Sequence, residues 1–309
     1  MTTADRSSRR DASQALNARI RTLSRPLGPE PTHVVPRLVP LGEVRAVVWD
    51  IYGTLLVSGA GDVGTTVASA DRADALREAL DSGGGQGDLA AAVVRGVELL
   101  AATIADERAA ASAPGVERPE VEIRTVWRRV IAQLETEGQL ATTAIDIERL
   151  AIEYECRVNP AWPMPGAREV LAELRRRGLL LGIVSNAQFY TPLVLEALFG
   201  EPLAGLGFEP CLCVWSYELR AAKPSGELFV KLADELRGVG GPTLANVLFV
   251  GNDMLNDVQG AASAGCRTAL FAGDGRSLRR RDEEKRVTAR PDLVVTRLEQ
   301  LLDVIGSEE

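Results

Sequence analysis

The sequence predicts an α/β protein built on a doubly wound parallel sheet. Short apolar runs recur along the chain as buried strands do, and amphipathic helical patterns lie between them. Polar residues follow several of these runs directly, at the edge where open α/β sheets bind their ligands. Strands that alternate with helices are typical of a parallel sheet. The predicted strands are Val44–Trp49, Leu179–Val184, Cys211–Val214, Val247–Val250, Thr268–Phe271 and Leu293–Val295.

The composition is that of an ordinary globular protein. At 309 residues, with 46% hydrophobic and 25% charged residues, the chain has material for about two domains. The net charge of -8 argues against nucleic acid as a partner. No apolar run approaches the roughly 18 residues that span a membrane and no signal-peptide pattern is present, so we expect a soluble, cytoplasmic protein. His33 is the single histidine, which excludes Ser-His catalysis and histidine-rich zinc sites.

Residues 1–40 form an extension of different character. They carry seven arginines against three acids. Leu16, Ile20, Leu23 and Leu27 follow helical spacing, and Pro26 is expected to end the helix just before it. We expect this extension to be partly helical or disordered, with a short amphipathic helix packing on the body.

The first strand leads directly into the most informative residues. Asp50 follows Val44–Trp49, and Gly53-Thr54 and two leucines come next. A carboxylate on a sharp turn after a strand is positioned to attack an electrophile and form a covalent intermediate.

The interval 61–161 contains no convincing strand. Ile123, Trp127, Val130 and Leu134 mark one amphipathic helix, while Leu89–Ala110 and Ile145–Arg157 indicate two more. We therefore expect a helical domain inserted into a core formed by residues 41–60 and 162–309. Its Arg124, Arg128 and Arg157 are candidates for contact with an anionic substrate, whereas Arg276 and Arg279–Arg281 are interpreted as a solvated loop.

Later strands of the core also end in polar residues. Ser185-Asn186 follows one strand, Lys223-Pro224 lies beyond the next, and Gly251-Asn252-Asp253 with Asp257 follows the fourth. Phosphoryl transfer needs an in-line nucleophile, with donors and positive charge around the transferred group. Carboxylate and amide oxygens suit Mg²⁺. The helices predicted beside these strands are Ala167–Arg177, Glu227–Leu236 and Asn256–Ala264.

Together, four segments from residue 44 to 274 resemble the motifs of the haloacid dehalogenase-like (HAD) hydrolase superfamily. The resemblance implies a Rossmannoid core with an inserted α-helical cap, a small-molecule substrate and Mg²⁺. It implies that Asp50 is the nucleophile and that the backbone carbonyl of residue 52 is a metal ligand. The implied catalytic residues are Asp50, Tyr52, Thr54, Ser185 and Lys223, the substrate-binding residues Ser185, Asn186 and Lys223, and the metal ligands Asp50, Tyr52, Asn252, Asp253 and Asp257.

Two positions depart from the superfamily pattern. Tyr52 stands where the second Asp of the first motif serves as general acid/base, and a phenol with an ordinary pKa near 10 is a poor base at neutral pH. Asn252 stands where an Asp is usual, although its amide oxygen can still bind Mg²⁺.

The departures leave three functions open. We expect a Mg²⁺-dependent phosphatase of a small phosphorylated metabolite that acts through an aspartyl-phosphate on Asp50. A metal-independent 2-haloacid dehalogenase is the alternative, because that subgroup resembles this chain in Asp-x-Tyr-Gly-Thr-Leu. The dehalogenases usually carry a Tyr six residues after the lysine, where this chain has Phe229, and they are depleted in acids such as Asp253 and Asp257. The third alternative is a catalytically weakened protein that binds a ligand.

Overall fold

The computed structural model describes residues 3–60, 69–112, 116–141 and 144–306. Its main element is a six-stranded sheet of order β5-β4-β1-β6-β7-β8 in which every neighbouring pair is parallel. All six predicted strands are confirmed, with ends shifted by up to three residues. The strands are β1 Ala46–Trp49, β2 Leu56–Ser58, β3 Ala161–Pro163, β4 Leu180–Ser185, β5 Phe208–Trp215, β6 Val247–Gly251, β7 Arg267–Phe271 and β8 Leu293–Val295.

Helices cover both faces of this sheet, so the doubly wound α/β class is confirmed. One predicted helix differs in type, because Asn256–Ala264 is a π-helical segment at Met254–Gln259 followed by one short α-helix. The α-helices are α1 Thr3–Leu23, α2 Ser69–Ser82, α3 Leu89–Ala110, α4 Ile123–Thr136, α5 Ile147–Val158, α6 Ala167–Arg176, α7 Tyr190–Phe199, α8 Ser216–Leu219, α9 Glu227–Gly238, α10 Gly260–Ser263 and α11 Leu301–Val304, with 3₁₀ turns at Leu244–Asn246 and Leu298–Gln300.

The central strand β1 separates two hydrophobic cores. Successive side chains of a strand point to opposite faces, so Val47 and Trp49 join one core while Ala46 and Val48 join the other. All four side chains are fully buried. A strand covered on both faces is apolar throughout, and Asp50 is the first residue beyond it.

One antiparallel ribbon lies at the two ends of the predicted helical insertion. Strands β2 and β3 pair with Ser58 opposite Ala161, next to the predicted boundary between cap and core. Helices α2, α3, α4 and α5 lie between them and pack on one another. Residues 61–68, 113–115 and 142–143 of the predicted cap lie outside the described part of the chain.

The N-terminal helix α1 packs against both parts of the molecule, contacting α5 and α7. It ends at Leu23, before Pro26, as predicted. Ile20 is fully buried in the larger core, and the Arg19 guanidinium binds both carboxylate oxygens of the buried Glu153 on α5. Residues 12–23 of the extension are therefore part of the packed body.

None of the described helices is both long and apolar enough to cross a membrane.

The packing of α1 predicts a large effect for Ile20→Ala. Removing a fully buried isoleucine side chain leaves a cavity, so we expect the free energy of unfolding to fall by about 2–5 kcal/mol. Val230→Ala truncates a side chain that is 62% exposed, and it should change the free energy of unfolding by no more than about 0.5 kcal/mol. Urea denaturation of both variants measures the difference, and equal stability would show that α1 does not pack as described.

Candidate active site

The polar residues singled out in the sequence meet at the carboxyl edge of the sheet. Asp50 follows β1 and Ser185 ends β4. Lys223 follows α8 beyond β5, and Asn252 follows β6. Because these strands are neighbours in one parallel sheet, segments far apart in sequence come together at one point.

Lys223 lies at the centre of this group. Its Nζ donates to Asp50 Oδ1 at 2.7 Å and to Asp257 Oδ1 at 2.6 Å. Ser185 Oγ donates to the same Asp50 oxygen at 3.0 Å. Asp50 Oδ1 is thus held by two donors, and no described residue donates to Oδ2, which is left to react.

The lysine side chain is charged although it is buried. Burial lowers the pKa of Lys223, but Asp257 and Asp50 more than offset this effect, so its pKa is raised above the ordinary value. Burial has the opposite effect on an acid: it raises the pKa of Asp257 to about 7, although the charge of Lys223 acts to lower it. A charged ammonium beside Asp50 can neutralise negative charge that develops at this point of the site.

The turn after β1 depends on a glycine. Gly53 has φ +84°, and a Cβ at this position would lie 2.4 Å from Asn252 Nδ2. The next residue, Thr54, is fully buried, with its hydroxyl 3.4 Å from Asn252 Oδ1. Gly-Thr in the motif therefore brings the nucleophile turn against the loop after β6.

Asn186 supports Lys223. Its Oδ1 accepts from the backbone N–H of Lys223 at 2.6 Å, and its Nδ2 donates to the Lys223 carbonyl at 3.2 Å. The side-chain amide is thus occupied by the main chain. Direct contact between Asn186 and a substrate stays a prediction.

The two acids after β6 already have partners in the protein. Asp257 Oδ2 accepts from the backbone N–H groups of Asn252 and Asp253, at 3.0 and 2.9 Å. Asp253 accepts from Leu255 N and Asn256 N, and its Oδ2 lies 2.6 Å from Arg281 Nη2. These contacts fix the loop that begins the π-helical segment.

The oxygen donors around Asp50 suit a Mg²⁺ ion with few charged ligands. Asp50 Oδ2 and the Tyr52 carbonyl receive no hydrogen bond from the described residues, and Asn252 contributes an amide oxygen. Hard oxygen ligands supplemented by water are what Mg²⁺ requires. Within the described ranges, no group of three or more His, Cys, Asp or Glu side chains is placed so that it could hold a metal ion. Binding by Asp253 or Asp257 would have to compete with Arg281 or Lys223.

Tyr52 remains a neutral phenol. Its hydroxyl lies 3.3 Å from Thr191 Oγ1 at the start of α7. Burial, reinforced by the negative charge of Glu155, raises the pKa of Tyr52 well above its ordinary value of 10. A hydroxyl that holds its proton this tightly cannot serve as a general base at neutral pH.

A cavity of about 400 Å³ extends from Asp50 to the helical insertion. The arginines that line it are Arg72, Arg108, Arg118 and Arg279. The candidates Arg124, Arg128 and Arg157 do not line it. Arg124 pairs with Glu122 and Glu148, and Arg157 with Glu153.

Three arginines at the core end of the site were missed as functional contacts in the sequence. Arg118, from the segment between α3 and α4, places Nη1 at 3.5 Å from the Lys223 carbonyl. We interpreted Arg279 and Arg281 as part of a solvated loop. Instead, Arg279 lines the cavity and Arg281 binds the carboxylate of Asp253. Each pairs with or approaches a residue distant in sequence, so periodicity along the chain carried no signal for them.

Glu155 is a further buried acid that lines the cavity and was not singled out by its sequence context. Tyr190 Oη donates to its Oε2 at 2.9 Å, and Asn159 Nδ2 lies 3.2 Å from its Oε1. Asn159 Oδ1 in turn accepts from Ser58 Oγ at 2.7 Å. This network links α5, the start of α7 and the β2–β3 ribbon, and burial raises the pKa of Glu155.

Comparison with known proteins identifies a family to which the sequence is similar. The sequence profile of the haloacid dehalogenase-like hydrolases matches residues 44–265. A phosphonoacetaldehyde hydrolase of Bacillus cereus is 29% identical over 142 residues, which cover 46% of this chain and 50% of that protein. The chain thus spans about half the length of the curated relatives it matches.

Solved structures share the fold. A 2-haloacid dehalogenase from Pseudomonas syringae pv. Tomato superposes with a TM-score of 0.57 at 19% identity, over 85% of this chain and 98% of that one. An HAD phosphatase from Thermococcus onnurineus gives a TM-score of 0.50 at 18% identity, over 86% and 99%. At these identities the likeness concerns the fold alone.

The raised pKa of Glu155 predicts a pH-dependent stability difference. Because the folded state favours the protonated acid, the contribution of Glu155 is present below its ordinary value of 4.5 and is lost as the pH rises through the raised value. Relative to Glu155→Gln, wild-type stability should therefore decline as the pH rises from 4 toward neutrality. Urea denaturation across this pH range checks the sign. A difference that is constant with pH would contradict it.

Proposed function

Because the chain belongs to the haloacid dehalogenase-like hydrolases, we propose that it is a Mg²⁺-dependent phosphatase of a small phosphorylated metabolite. That it is a hydrolase follows from the family. The phosphatase activity and its substrate are the proposed part.

One observation carries the proposal most directly. Asp50 has one oxygen fixed by Lys223 and Ser185, while its other oxygen faces no donor among the described residues. This arrangement orients the carboxylate as a nucleophile for in-line attack on phosphorus. Lys223 and Ser185 supply positive charge and a hydroxyl donor for the phosphoryl oxygens.

Charge at the site favours an anionic substrate with a compensating cation. Lys223 is shared between two carboxylates, so Asp50, Asp257 and Lys223 together carry one net negative charge when all are ionised. Arg118 and Arg279 line the same cavity and attract anions. Mg²⁺ held by Asp50, the Tyr52 carbonyl and Asn252 would supply the remaining charge neutralisation.

Proton transfer is the weak step of this site. The neutral Tyr52 cannot take the role that a carboxylate would have, since burial raises its pKa. A phenol is also a far weaker acid than a carboxylic acid, so a departing alkoxide receives little help from residue 52. We expect departure of the leaving group to limit turnover of alkyl phosphates.

Halide displacement is a second candidate, and the loop after β6 favours it. Asp253 and Asp257 accept hydrogen bonds from protein groups through both of their oxygens, so among these three acids only Asp50 Oδ2 has no donor within the described part of the chain. A 2-haloacid dehalogenase needs no metal. Phe229, however, is buried beside Phe249 rather than in the cavity.

Cleavage of a phosphonoacetaldehyde, the activity named for the curated relatives, fits this chain less well. Breaking a carbon–phosphorus bond beside an aldehyde needs an electron sink, which a lysine imine can supply. The chain has three lysines, of which Lys231 and Lys285 are exposed on the surface and Lys223 is bound to Asp50 and Asp257. We therefore propose an oxygen ester as the substrate.

The metal requirement separates the two candidates. We expect phosphate release from a panel of metabolite phosphates with Mg²⁺, abolished by EDTA and reduced at least about 10³-fold in Asp50→Asn. Asp234→Asn, which changes an exposed acid of α9, is the matched control and should leave activity unchanged. Release of halide from L-2-chloropropionate that persists in EDTA would overturn the phosphatase proposal.

Tyr52→Asp restores a carboxylate at the weak step. We expect kcat to rise about tenfold or more on alkyl phosphates, because a positioned acid contributes at least this much. Tyr52→Phe removes the hydroxyl without adding a carboxylate and should not raise kcat. Steady-state kinetics give kcat of both variants on alkyl phosphates. An equal change of kcat in the two variants would show that proton transfer is not limiting.

A further inference from the structure

Two helices each contribute one face to the lining of the cavity. Helix α3 contributes Val97, Leu100, Ala101 and Ile104, which have the i, i+3, i+4, i+7 spacing of a single helical face. Helix α5 presents a second such face at positions 151, 154, 155 and 158, of which Glu155 is the charged member. The Trp127 ring on α4 packs edge-on against the Tyr154 ring at 5.2 Å.

Polar groups on this side are occupied by one another. Glu155 accepts from Tyr190, and the Tyr52 hydroxyl is 3.3 Å from Thr191. The side-chain amide of Gln188 accepts from Ile123 N, the first residue of α4, and donates to the carbonyl of Val121, at 2.9 Å in each case. A polyol in this space would find few free partners, and an unpaired hydroxyl is costly to bury.

Two arginines on this side have no such hydrogen-bond partner among the described residues. Arg72 is half-buried and Arg108 is exposed, and both line the cavity. Apart from these two charged groups, the surface on this side is the apolar faces of α3 and α5. The uncharged body of a ligand would cover these faces.

The chemistry at residue 52 restricts the leaving group independently. Residue 52 is a tyrosine whose hydroxyl lies 3.3 Å from Thr191 Oγ1, so it provides no carboxylic acid to protonate a departing alkoxide. Esters of acidic hydroxyl groups need the least help, because the oxygen leaves as a stable anion.

We propose that the substrate is the phosphate monoester of an apolar, acidic hydroxyl compound, that is, an aryl phosphate. This inference rests on the proposed function and names its substrate class. The aromatic body lies against the faces of α3 and α5, and the phosphate lies at Asp50 and Lys223.

The reaction balances without an acid at residue 52. The free oxygen of Asp50 forms a bond to phosphorus as the bond from phosphorus to the aryl oxygen breaks, and that oxygen keeps the electron pair. Water then attacks phosphorus, which releases phosphate and regenerates the Asp50 carboxylate. The proton lost by the water is the one that the aryloxide gains in solution.

A matched pair of substrates tests the leaving group. Phenyl phosphate and benzyl phosphate both present an aromatic ring, but phenol is far more acidic than benzyl alcohol. We expect Tyr52→Asp to raise kcat about tenfold or more for benzyl phosphate and to change kcat for phenyl phosphate less than about threefold. Equal gains on both substrates would overturn the acidic-leaving-group part of the proposal.

The apolar wall is tested by Val97→Asn, which places an amide in the wall. We expect KM for 1-naphthyl phosphate to rise about tenfold. Val94→Asn makes the same change one turn away on α3, at a side chain that is 69% exposed and outside the cavity, and should leave KM unchanged. Equal effects of the two substitutions would contradict the proposed binding face.

Binding to Asp50→Asn, followed by calorimetry, separates this inference from the proposed function. We expect 1-naphthyl phosphate to bind at least about tenfold more tightly than glycerol 3-phosphate. Equal or tighter binding of glycerol 3-phosphate would overturn the substrate class while leaving the phosphatase proposal intact. If the wild type released phosphate from no ester, the proposed function would fail, and tight naphthyl phosphate binding would still support the apolar site.

Discussion

The site depends on the contact of one buried ammonium with two carboxylates. Lys223 Nζ lies 2.7 Å from Asp50 and 2.6 Å from Asp257, and neither acid could be buried here at such low cost without it. Asp257 also accepts two backbone N–H groups of the loop after β6. The lysine thereby fixes three sheet-edge segments relative to one another, and it leaves one oxygen of Asp50 for chemistry.

The fold could be predicted from sequence because its signals are local. Each strand of the six-stranded sheet contains an apolar run, and Asp50, Ser185 and Asn252 come at or just after the ends of such runs. The shape of the segment at Met254–Gln259 could not be predicted, since its π-helical form accompanies contacts of Asp253 and Asp257 with surrounding groups. Short strands β2 and β3 were missed because each has only three residues.

Parts of the site that come from distant segments escaped prediction for a related reason. Arg118 approaches Lys223 across more than a hundred residues of chain, and Arg281 reaches back to Asp253. Glu155 stands among apolar neighbours on α5, where only the folded structure reveals its contact with Tyr190. The insertion thus contributes to the cavity in two ways, through an apolar wall and through a buried polar network tied to the β2–β3 ribbon.

The central claim is that Asp50 attacks phosphorus directly. Phenyl phosphate is the substrate for this measurement, because its acidic leaving group departs readily and lets an aspartyl-phosphate accumulate. Rapid acid quenching during its turnover, followed by borohydride reduction, converts the aspartyl-phosphate into homoserine. Peptide mass spectrometry then locates the modified residue. The account predicts homoserine at position 50 in the wild type and none when Lys223 is replaced by Met. Unmodified Asp50 in a sample that is releasing phosphate would contradict it.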